Sequence, residues 1–295
     1  MGKNEFPDWL KSQLTRKKQA ESLKNIFKTK NLHTVCEEAK CPNIGECFSR
    51  GTATFLIMGN ICTRNCGFCS IQTGIPKPLD ESEPVRIARQ IKQMKLKYAV
   101  LTSPTRDDLD DGGASFFAGT VKKIKEINFS TGIEVLIPDF KGDMNALNTV
   151  LSSGIDVINH NIETVKRLYP QVRSQGDYDR TLSILKNSLS NRRGFPVKSG
   201  FMVGLGEKKE EIKELLEDLR AVGCNIITMG QYLRPTLRQL PVVRYLRPEE
   251  FKEIEEMAYG IGFDCVVSGP LVRSSYKAEE TLLSFKKNSF NKLNG

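Results

Sequence analysis

Thr54-Phe55-Leu56-Ile57-Met58-Gly59-Asn60-Ile61-Cys62-Thr63-Arg64-Asn65-Cys66-Gly67-Phe68-Cys69 begins as a strand-sized apolar run and ends as a cluster of thiols and polar side chains. A short apolar run closed by glycine reads as a buried strand, too brief for a helix. The unit recurs at Tyr98 to Thr102, Glu134 to Ile137, Asp156 to Asn159, Val197 to Val203 and Ile226 to Met229, which with Thr54 to Met58 makes six strands. Phe263 to Val267 is a candidate for one more. Amphipathic stretches near Val85 to Met94, Phe116 to Ile127, Leu182 to Leu189 and Glu211 to Val222 fill intervals between them. This alternation predicts parallel strands joined by crossover helices. Polar clusters follow the strands: Cys62 to Cys69 after the first, Arg106 to Gly113 after the second, Asn159 to Glu163 at the fourth. Parallel α/β barrels carry their active sites at the carboxyl ends of strands, so these clusters converge on one mouth.

The chain has 295 residues, 39% hydrophobic and 27% charged, enough to build one barrel with extensions and too apolar for a disordered chain. It has no run of 18 apolar residues, which excludes a helical membrane span. Residues 1 to 30 show neither a secretory signal nor an acid-poor transit peptide, so the expected location is the cytoplasm. The net charge is +9, and residues 1 to 30 hold eight basic side chains against Glu5, Asp8 and Glu21. A basic arm that meets an acidic partner and a solvated helix face both fit that pattern.

Eight cysteines in a reducing compartment argue for metal rather than disulfides, because six of them fall between residues 36 and 69. They form two triplets, Cys36, Cys41 and Cys47 with spacing C-x4-C-x5-C, and Cys62, Cys66 and Cys69 with spacing C-x3-C-x2-C. Structural zinc closes its tetrahedron with a fourth Cys or His, and the only histidines are His33 and His160. Triplets of soft thiolates suit iron-sulfur clusters, and three ligands on a four-iron cluster leave one iron open to a small chelating molecule. Cys224 and Cys265 stand alone in apolar surroundings and read as core residues.

The C-x3-C-x-aromatic-C pattern of residues 62–69 resembles the radical S-adenosylmethionine enzymes, whose open iron binds that cofactor. Cys36-x4-Cys41-Pro42-Asn43-x-Gly45-Glu46-Cys47, Gly51-Thr52-Ala53-Thr54-Phe55 and Arg273-Ser274-Ser275-Tyr276 narrow the resemblance to the lipoyl synthase family. Arg106-Asp107-Asp108-Leu109-x-Asp111-Gly112-Gly113, Ile137-Pro138-Asp139-Phe140-x-Gly142, Asn159-His160-Asn161-Ile162-Glu163-Thr164 and Gly230-Gln231-Tyr232-Leu233-Arg234-Pro235-Thr236 are also similar to that family. The likeness runs from about residue 30 to about residue 280.

The resemblance implies an α/β fold, a partial (βα)6 TIM-type barrel over residues 51–270. An N-terminal extension, 1–50, would carry the auxiliary cysteines, and a C-terminal extension, 271–295, the Arg-Ser-Ser-Tyr motif. It implies two 4Fe-4S clusters. Cys62, Cys66 and Cys69 would hold the one that cleaves S-adenosylmethionine; Cys36, Cys41 and Cys47, with Ser275 preferred over Ser274 as fourth ligand, would hold an auxiliary one that gives up sulfur. An alkoxide is a poorer match than thiolate for soft iron, which favours a cluster able to open. The reaction implied is sulfur insertion at carbons 6 and 8 of an octanoyl group on a lysine of a lipoyl carrier domain, with two molecules of S-adenosylmethionine per product. The implied partners are octanoylated E2 subunits of 2-oxoacid dehydrogenases and the glycine cleavage H protein, a ferredoxin or flavodoxin reductant, and an iron-sulfur carrier protein, with no nucleic acid.

The remaining candidate cofactor contacts each carry a second reading. Phe68 would touch the adenine or simply pack. Asp107, Gly112 and Gly113 do not form a calcium loop, because Leu109 and Ala118 occupy ligand positions; they would meet the cofactor or cap the helix near Ala114. Asn159, Asn161 and Glu163 recur with period two and would share the mouth face with Lys198 and Gln231. Arg173 has the fork for a carboxylate. His160 receives no role. A tRNA methylthiotransferase and a zinc protein without catalysis are the alternatives weighed. The first lacks room after Gly269 for an RNA-binding domain, and the second lacks closed four-ligand sites.

Overall fold

The computed structural model describes residues 7–10, 33–35, 41, 43, 46–47, 51–189 and 194–294, with side chains as far as residue 288. The strands, in chain order, are β1 (His33–Thr34), β2 (Thr52–Leu56), β3 (Ile61–Cys62), β4 (Gln72–Thr73), β5 (Tyr98–Thr102), β6 (Gly132–Leu136), β7 (Val157–Asn159), β8 (Val197–Val203), β9 (Ile226–Gln231) and β10 (Cys265–Gly269). From the first long helix onward, the helices are α1 (Glu83–Gln93), α2 (Ala114–Ile127), α3 (Met144–Leu151), α4 (Tyr169–Val172), α5 (Tyr178–Leu189), α6 (Lys209–Ala221), α7 (Pro248–Ile261) and α8 (Ala278–Asn294).

One sheet runs in the order β1-β2-β5-β6-β7-β8-β9-β10, and β3 pairs with β4 in a separate ribbon. From β2 to β10 every pairing in the main sheet is parallel, while β1 adds an antiparallel edge. The sheet curls into a partial barrel with β1 and β10 at its two edges. The expected partial barrel is therefore observed, with seven parallel strands, because the candidate Phe263 to Val267 overlaps a strand, β10, from Cys265 onward. No helix among the described residues is long and apolar enough to cross a membrane.

Alternation along each strand separates two layers. Phe55, Leu101, Val135, Ile158, Val203 and Met229 face outward and bury themselves against Ile87, Phe117, Val121, Leu147 and Leu215 of the surrounding helices. The inward positions are more polar: Thr52, Thr54, Glu134, Asn159, Lys198 and Thr228 are all buried. Low in the barrel, Tyr98, Val100 and Val157 pack on Ala278 and Leu282 of α8, which thereby covers the interior.

Four helices, α3, α4, α7 and α8, lie outside the expected amphipathic stretches, although α3 and α7 have readable boundaries. Asp143 caps α3 by accepting the N–H groups of Asn145 and Ala146. Helix α7 starts with Pro248, carries Glu249 and Glu250 in its first turn, and stops at Gly262, whose φ is 105°. That is the asymmetry of proline inside a helix start and glycine beyond its end. It buries Phe251, Ile254 and Ala258.

Candidate active site at the barrel mouth

The loop bearing Cys62, Cys66 and Cys69 leaves β2 at the carboxyl end of the sheet and is stitched to loops that follow three other strands. Thr63 donates its backbone N–H to the Thr105 carbonyl at 3.0 Å, and its hydroxyl oxygen accepts the Asp107 N–H at 3.1 Å. Gly67 donates to the Val172 carbonyl at 2.9 Å and accepts from the Leu240 N–H at 2.9 Å. Gln239 Nε2 donates to the Cys69 carbonyl at 2.9 Å. Phe68 is half-buried and packs against the apolar core.

Inside this loop sits a cation that the sequence reading left without a role. Arg64 holds Asp107 at 2.7 Å and Asp139 at 2.7 Å, and Arg180 adds a second contact to Asp139 at 3.1 Å. Burial opposes the charge on Arg64, yet the two carboxylates outweigh it and raise its pKa. Burial likewise works against Asp139, but Arg64 holds its carboxyl well below the usual carboxylate range. The aspartate of Ile137-Pro138-Asp139-Phe140 was the available signal for this pair. Asp107, expected at the cofactor, is engaged by Arg64.

The donor set fits an iron-sulfur cluster better than a single ion. Cys62 Sγ accepts backbone N–H groups from Arg64 at 3.4 Å and Thr105 at 3.3 Å, the kind of hydrogen bond that tunes cluster sulfur ligands. Burial pushes the Cys66 thiol up to about 11 and the Cys69 thiol up to about 12, so both need a strong local cation to ionise. No three His, Cys, Asp or Glu side chains among the described residues are grouped to hold a single metal ion.

Glu163, Arg173 and Asn161 line the space beside Cys66. Glu163 adopts φ 69° and rejoins the sheet by bridging to Phe201, a strained geometry for a residue other than glycine. Burial raises its pKa, while Arg173 and Asn161 pull it back. Arg173 Nη1 donates to the Asn161 carbonyl at 3.0 Å and the Tyr169 hydroxyl at 3.3 Å. Asn161 Nδ2 donates to Glu163 Oε1 at 3.1 Å, and its Oδ1 is buried without a partner among the described residues.

The other candidate contacts lie deeper or serve the scaffold. Lys198 is 1% exposed and gives both of its hydrogen bonds to Glu134, at 2.9 and 3.1 Å; Asn159 Nδ2 reaches the same carboxylate at 2.8 Å. Gln231 Nε2 donates to the Tyr232 and Arg244 carbonyls, and its oxygen accepts the Leu246 N–H, which leaves its amide occupied by main chain. Gly112 and Gly113 lead into α2, where Asp111 accepts the N–H groups of Gly113 at 2.8 Å and Ser115 at 2.7 Å. Gly113 has φ 89°, and a Cβ there would lie 2.7 Å from Met58 Cε, so glycine is required.

Cys41 and Cys47 of the second thiol set lie where a segment near the start of the chain meets residues 271–276. Cys36 and the basic stretch 1–30, Pro7 to Leu10 apart, lie outside the described residues. Cys41 packs against the core, where burial raises its pKa and neighbouring Arg273 lowers it. Asn43 Nδ2 donates to the Leu271 carbonyl at 2.5 Å, and the Tyr276 hydroxyl donates to Glu46 Oε1 at 3.2 Å. Cys47 lines a cavity of about 200 Å³ with Glu46, Thr52, Tyr276 and Lys277. The two serines differ: Ser274 Oγ accepts from Asn161 Nδ2 at 2.7 Å, while Ser275 has no side-chain hydrogen bond among the described residues.

A sequence profile of the Radical SAM superfamily matches residues 56–219, and that of the N-terminal domain of lipoyl synthase matches residues 2–41. The lipoyl synthase of Caldicellulosiruptor saccharolyticus is 54% identical over 275 residues, which cover 93% of this chain and 96% of that protein. The chain belongs to the lipoyl synthase family. The lipoyl synthase of Deinococcus radiodurans is 53% identical over 279 residues, covering 94% and 84% of the two chains. Among solved structures, the FeFe-hydrogenase maturase HydG from Carboxydothermus hydrogenoformans matches with a TM-score of 0.58 at 18% identity, over 79% of this chain and 56% of that one. SuiB of Streptococcus suis bound to S-adenosylmethionine matches with a TM-score of 0.58 at 12% identity, over 90% and 58%. These two share the fold. Membership in the family brings iron-sulfur clusters and S-adenosylmethionine as cofactors.

Proposed function

We propose that this chain is a lipoyl synthase that inserts two sulfur atoms, at carbons 6 and 8, into an octanoyl group amide-linked to a lysine of a lipoyl carrier protein. The observation that carries the reading is the pairing of two separate thiol sets. One is held in a single loop at the barrel mouth, and two members of the other, Cys41 and Cys47, lie in a segment bonded to residues 271–276. Radical generation needs only one such set. When bound, the loop cluster supplies the electron that cleaves S-adenosylmethionine to a hydrogen-abstracting radical, and the auxiliary cluster supplies the sulfur.

In this reading Cys62, Cys66 and Cys69 hold the loop cluster, and Glu163, Asn161 and Arg173 form the wall that orients the cofactor beside it. Arg173 has the fork to meet a carboxylate, and the unpartnered Asn161 Oδ1 is an acceptor for an ammonium or hydroxyl. Phe68 offers an apolar contact, and Gly112 and Gly113 allow close approach of the main chain. Asp107 acts through Arg64, fixing the loop. Lys198, Asn159 and Gln231 act from behind the wall, through Glu134 and the 232–246 segment. Positioning is the protein's share of the work, because one misplaced C–H bond ends the chemistry. Cys36, Cys41 and Cys47 with Ser275 hold the auxiliary cluster. The hydroxyl of Ser275, unlike that of Ser274, is not engaged by a neighbour among the described residues.

Residues 1–50 and 271–295 thus serve the auxiliary site, and 51–270 the radical site. The basic stretch 1–30 would steer acidic E2 or H-protein carrier domains; its deletion should raise the apparent KM at low salt and have little effect at high salt. The electrons come from a ferredoxin or flavodoxin, and an iron-sulfur carrier protein rebuilds the spent cluster. The function is tested by anaerobic turnover with an octanoyl-lysyl peptide. A peptide that gains two sulfurs as 5'-deoxyadenosine accumulates supports the reading. Cofactor cleavage with the peptide mass unchanged means that the substrate is a different one.

A further inference from the structure

We propose that Ser274 is a positioning residue whose hydrogen bond with Asn161 ties the cofactor wall to the segment bearing Ser275, so that seating S-adenosylmethionine and ordering the auxiliary site favour one another. The inference rests on the reading above that Ser275 ligates the auxiliary cluster. One amide nitrogen, Asn161 Nδ2, donates to Glu163 Oε1 at 3.1 Å and to Ser274 Oγ at 2.7 Å, across 113 residues of sequence. Arg173 Nη1 grips the carbonyl of the same residue at 3.0 Å. Any rearrangement of Glu163 or Arg173 around a bound cofactor therefore reaches Ser274 through one side chain, and Ser275 is its neighbour in the chain.

Two glycines keep the space that this crossing needs. A Cβ on Gly200 of β8 would lie 3.0 Å from Asn161 Oδ1, and one on Gly230 of β9 would lie 2.1 Å from the Val272 carbonyl oxygen. The 272–276 segment thus lies directly on β9, with the Asn161 side chain reaching over β8 to meet it. The second oxygen of the junction, Asn161 Oδ1, is buried and has no partner among the described residues. A buried acceptor of this kind is unfavourable until a donor reaches it. A cofactor hydroxyl or ammonium that satisfies Oδ1 would fix the amide plane, and with it the Nδ2 bond to Ser274. Linkage is reciprocal: ordering of the 272–276 segment by its cluster fixes the same amide for the cofactor.

The test is a binding cycle on anaerobically reconstituted full-length protein, read as S-adenosylmethionine affinity by equilibrium dialysis. In the Ser274 background, loss of the auxiliary cluster through Cys47→Ala should weaken cofactor binding about fivefold to tenfold, the worth of one hydrogen bond. In the Ser274→Ala background, the same loss should change it little. The electron paramagnetic resonance spectrum of the reduced auxiliary cluster should shift on cofactor addition in the wild type, fail to shift in Ser274→Ala, and shift again in Ser274→Thr. That last variant keeps the hydroxyl and separates lost coupling from a folding defect. Equal affinities with and without the auxiliary cluster in the Ser274 background would overturn the proposal, as would a full spectral shift in Ser274→Ala. Ser275→Ala supplies the separate check. If it leaves the auxiliary spectrum unchanged, the ligand assignment is wrong, whatever the cycle shows.

Discussion

The two thiol regions are built by opposite strategies. Cys62, Cys66 and Cys69 sit within eight residues, and the loop that holds them is fastened by main-chain bonds to Thr105, Val172 and Leu240 and by Arg64 to two aspartates. The segment of Cys41 and Cys47 is tied to the far end of the chain across 228 and 230 residues, Asn43 to Leu271 and Glu46 to Tyr276. A site closed within one loop is preformed once the barrel folds. A contact between the two ends of the chain can be loosened without disturbing the barrel, which would suit the proposed sulfur-donating cluster.

The sharpest way to break this comparison is to remove one ligand from each side. Cys66→Ala should abolish 5'-deoxyadenosine formation, whereas Cys47→Ala should keep that cleavage and lose sulfur insertion; each variant should lose about four irons per chain. Loss of cleavage in Cys47→Ala would erase the distinction. Next in size is the anchor of the radical loop. Arg64→Met leaves the buried carboxylate of Asp139 with the half-exposed Arg180 as its one ion-pair partner among the described residues, and should cost about 3–5 kcal/mol in urea denaturation. A cost below about 1 kcal/mol would mean that the loop is held by its main chain alone.

A pH titration probes the wall behind the same loop. His160 is fully buried, its Nδ1–H facing the Ile137 carbonyl at 2.8 Å; burial first, and Arg173 second, lower its pKa to about 4 from an ordinary 6.5. As the pH falls, the unfolded chain takes up this proton near 6.5 and the folded chain only near 4. This contribution to stability is therefore intact above 6.5, falls by about 3 kcal/mol across that window, and is flat below it. His160→Gln should flatten the slope, and an unchanged slope would assign it to other groups. The smallest effect belongs to the contact between the chain ends. Tyr276→Phe removes the bond to Glu46 and should cost about 1 kcal/mol, seen as faster loss of the auxiliary cluster to a chelator while the loop cluster is retained.

The barrel strands were legible because each is an apolar run bounded by glycine or polar residues, and Val197 to Val203 is the strand as observed. First-strand boundaries shifted to Thr52–Leu56 because Gly51 takes φ 79° and Met58 takes φ 64°, which puts the turns earlier than hydrophobicity suggests. Helix α3 was missed for its eight-residue length, and α7 because its charged surface dilutes the stripe of Phe251, Ile254 and Ala258. The thiol spacings were visible in sequence because metal ligands cluster locally. Partnerships such as Arg64 with Asp139, Lys198 with Glu134 and Asn161 with Ser274 were not, because each joins different strands or loops and depends on the register of the sheet.

The division of labour between the two regions is tested most directly by following sulfur. Protein reconstituted with heavy-isotope sulfide, turned over once under anaerobic conditions in light medium, should yield an octanoyl-derived product in which both inserted sulfurs are heavy. A product carrying light sulfur, with the heavy clusters retained by the protein, would contradict the account.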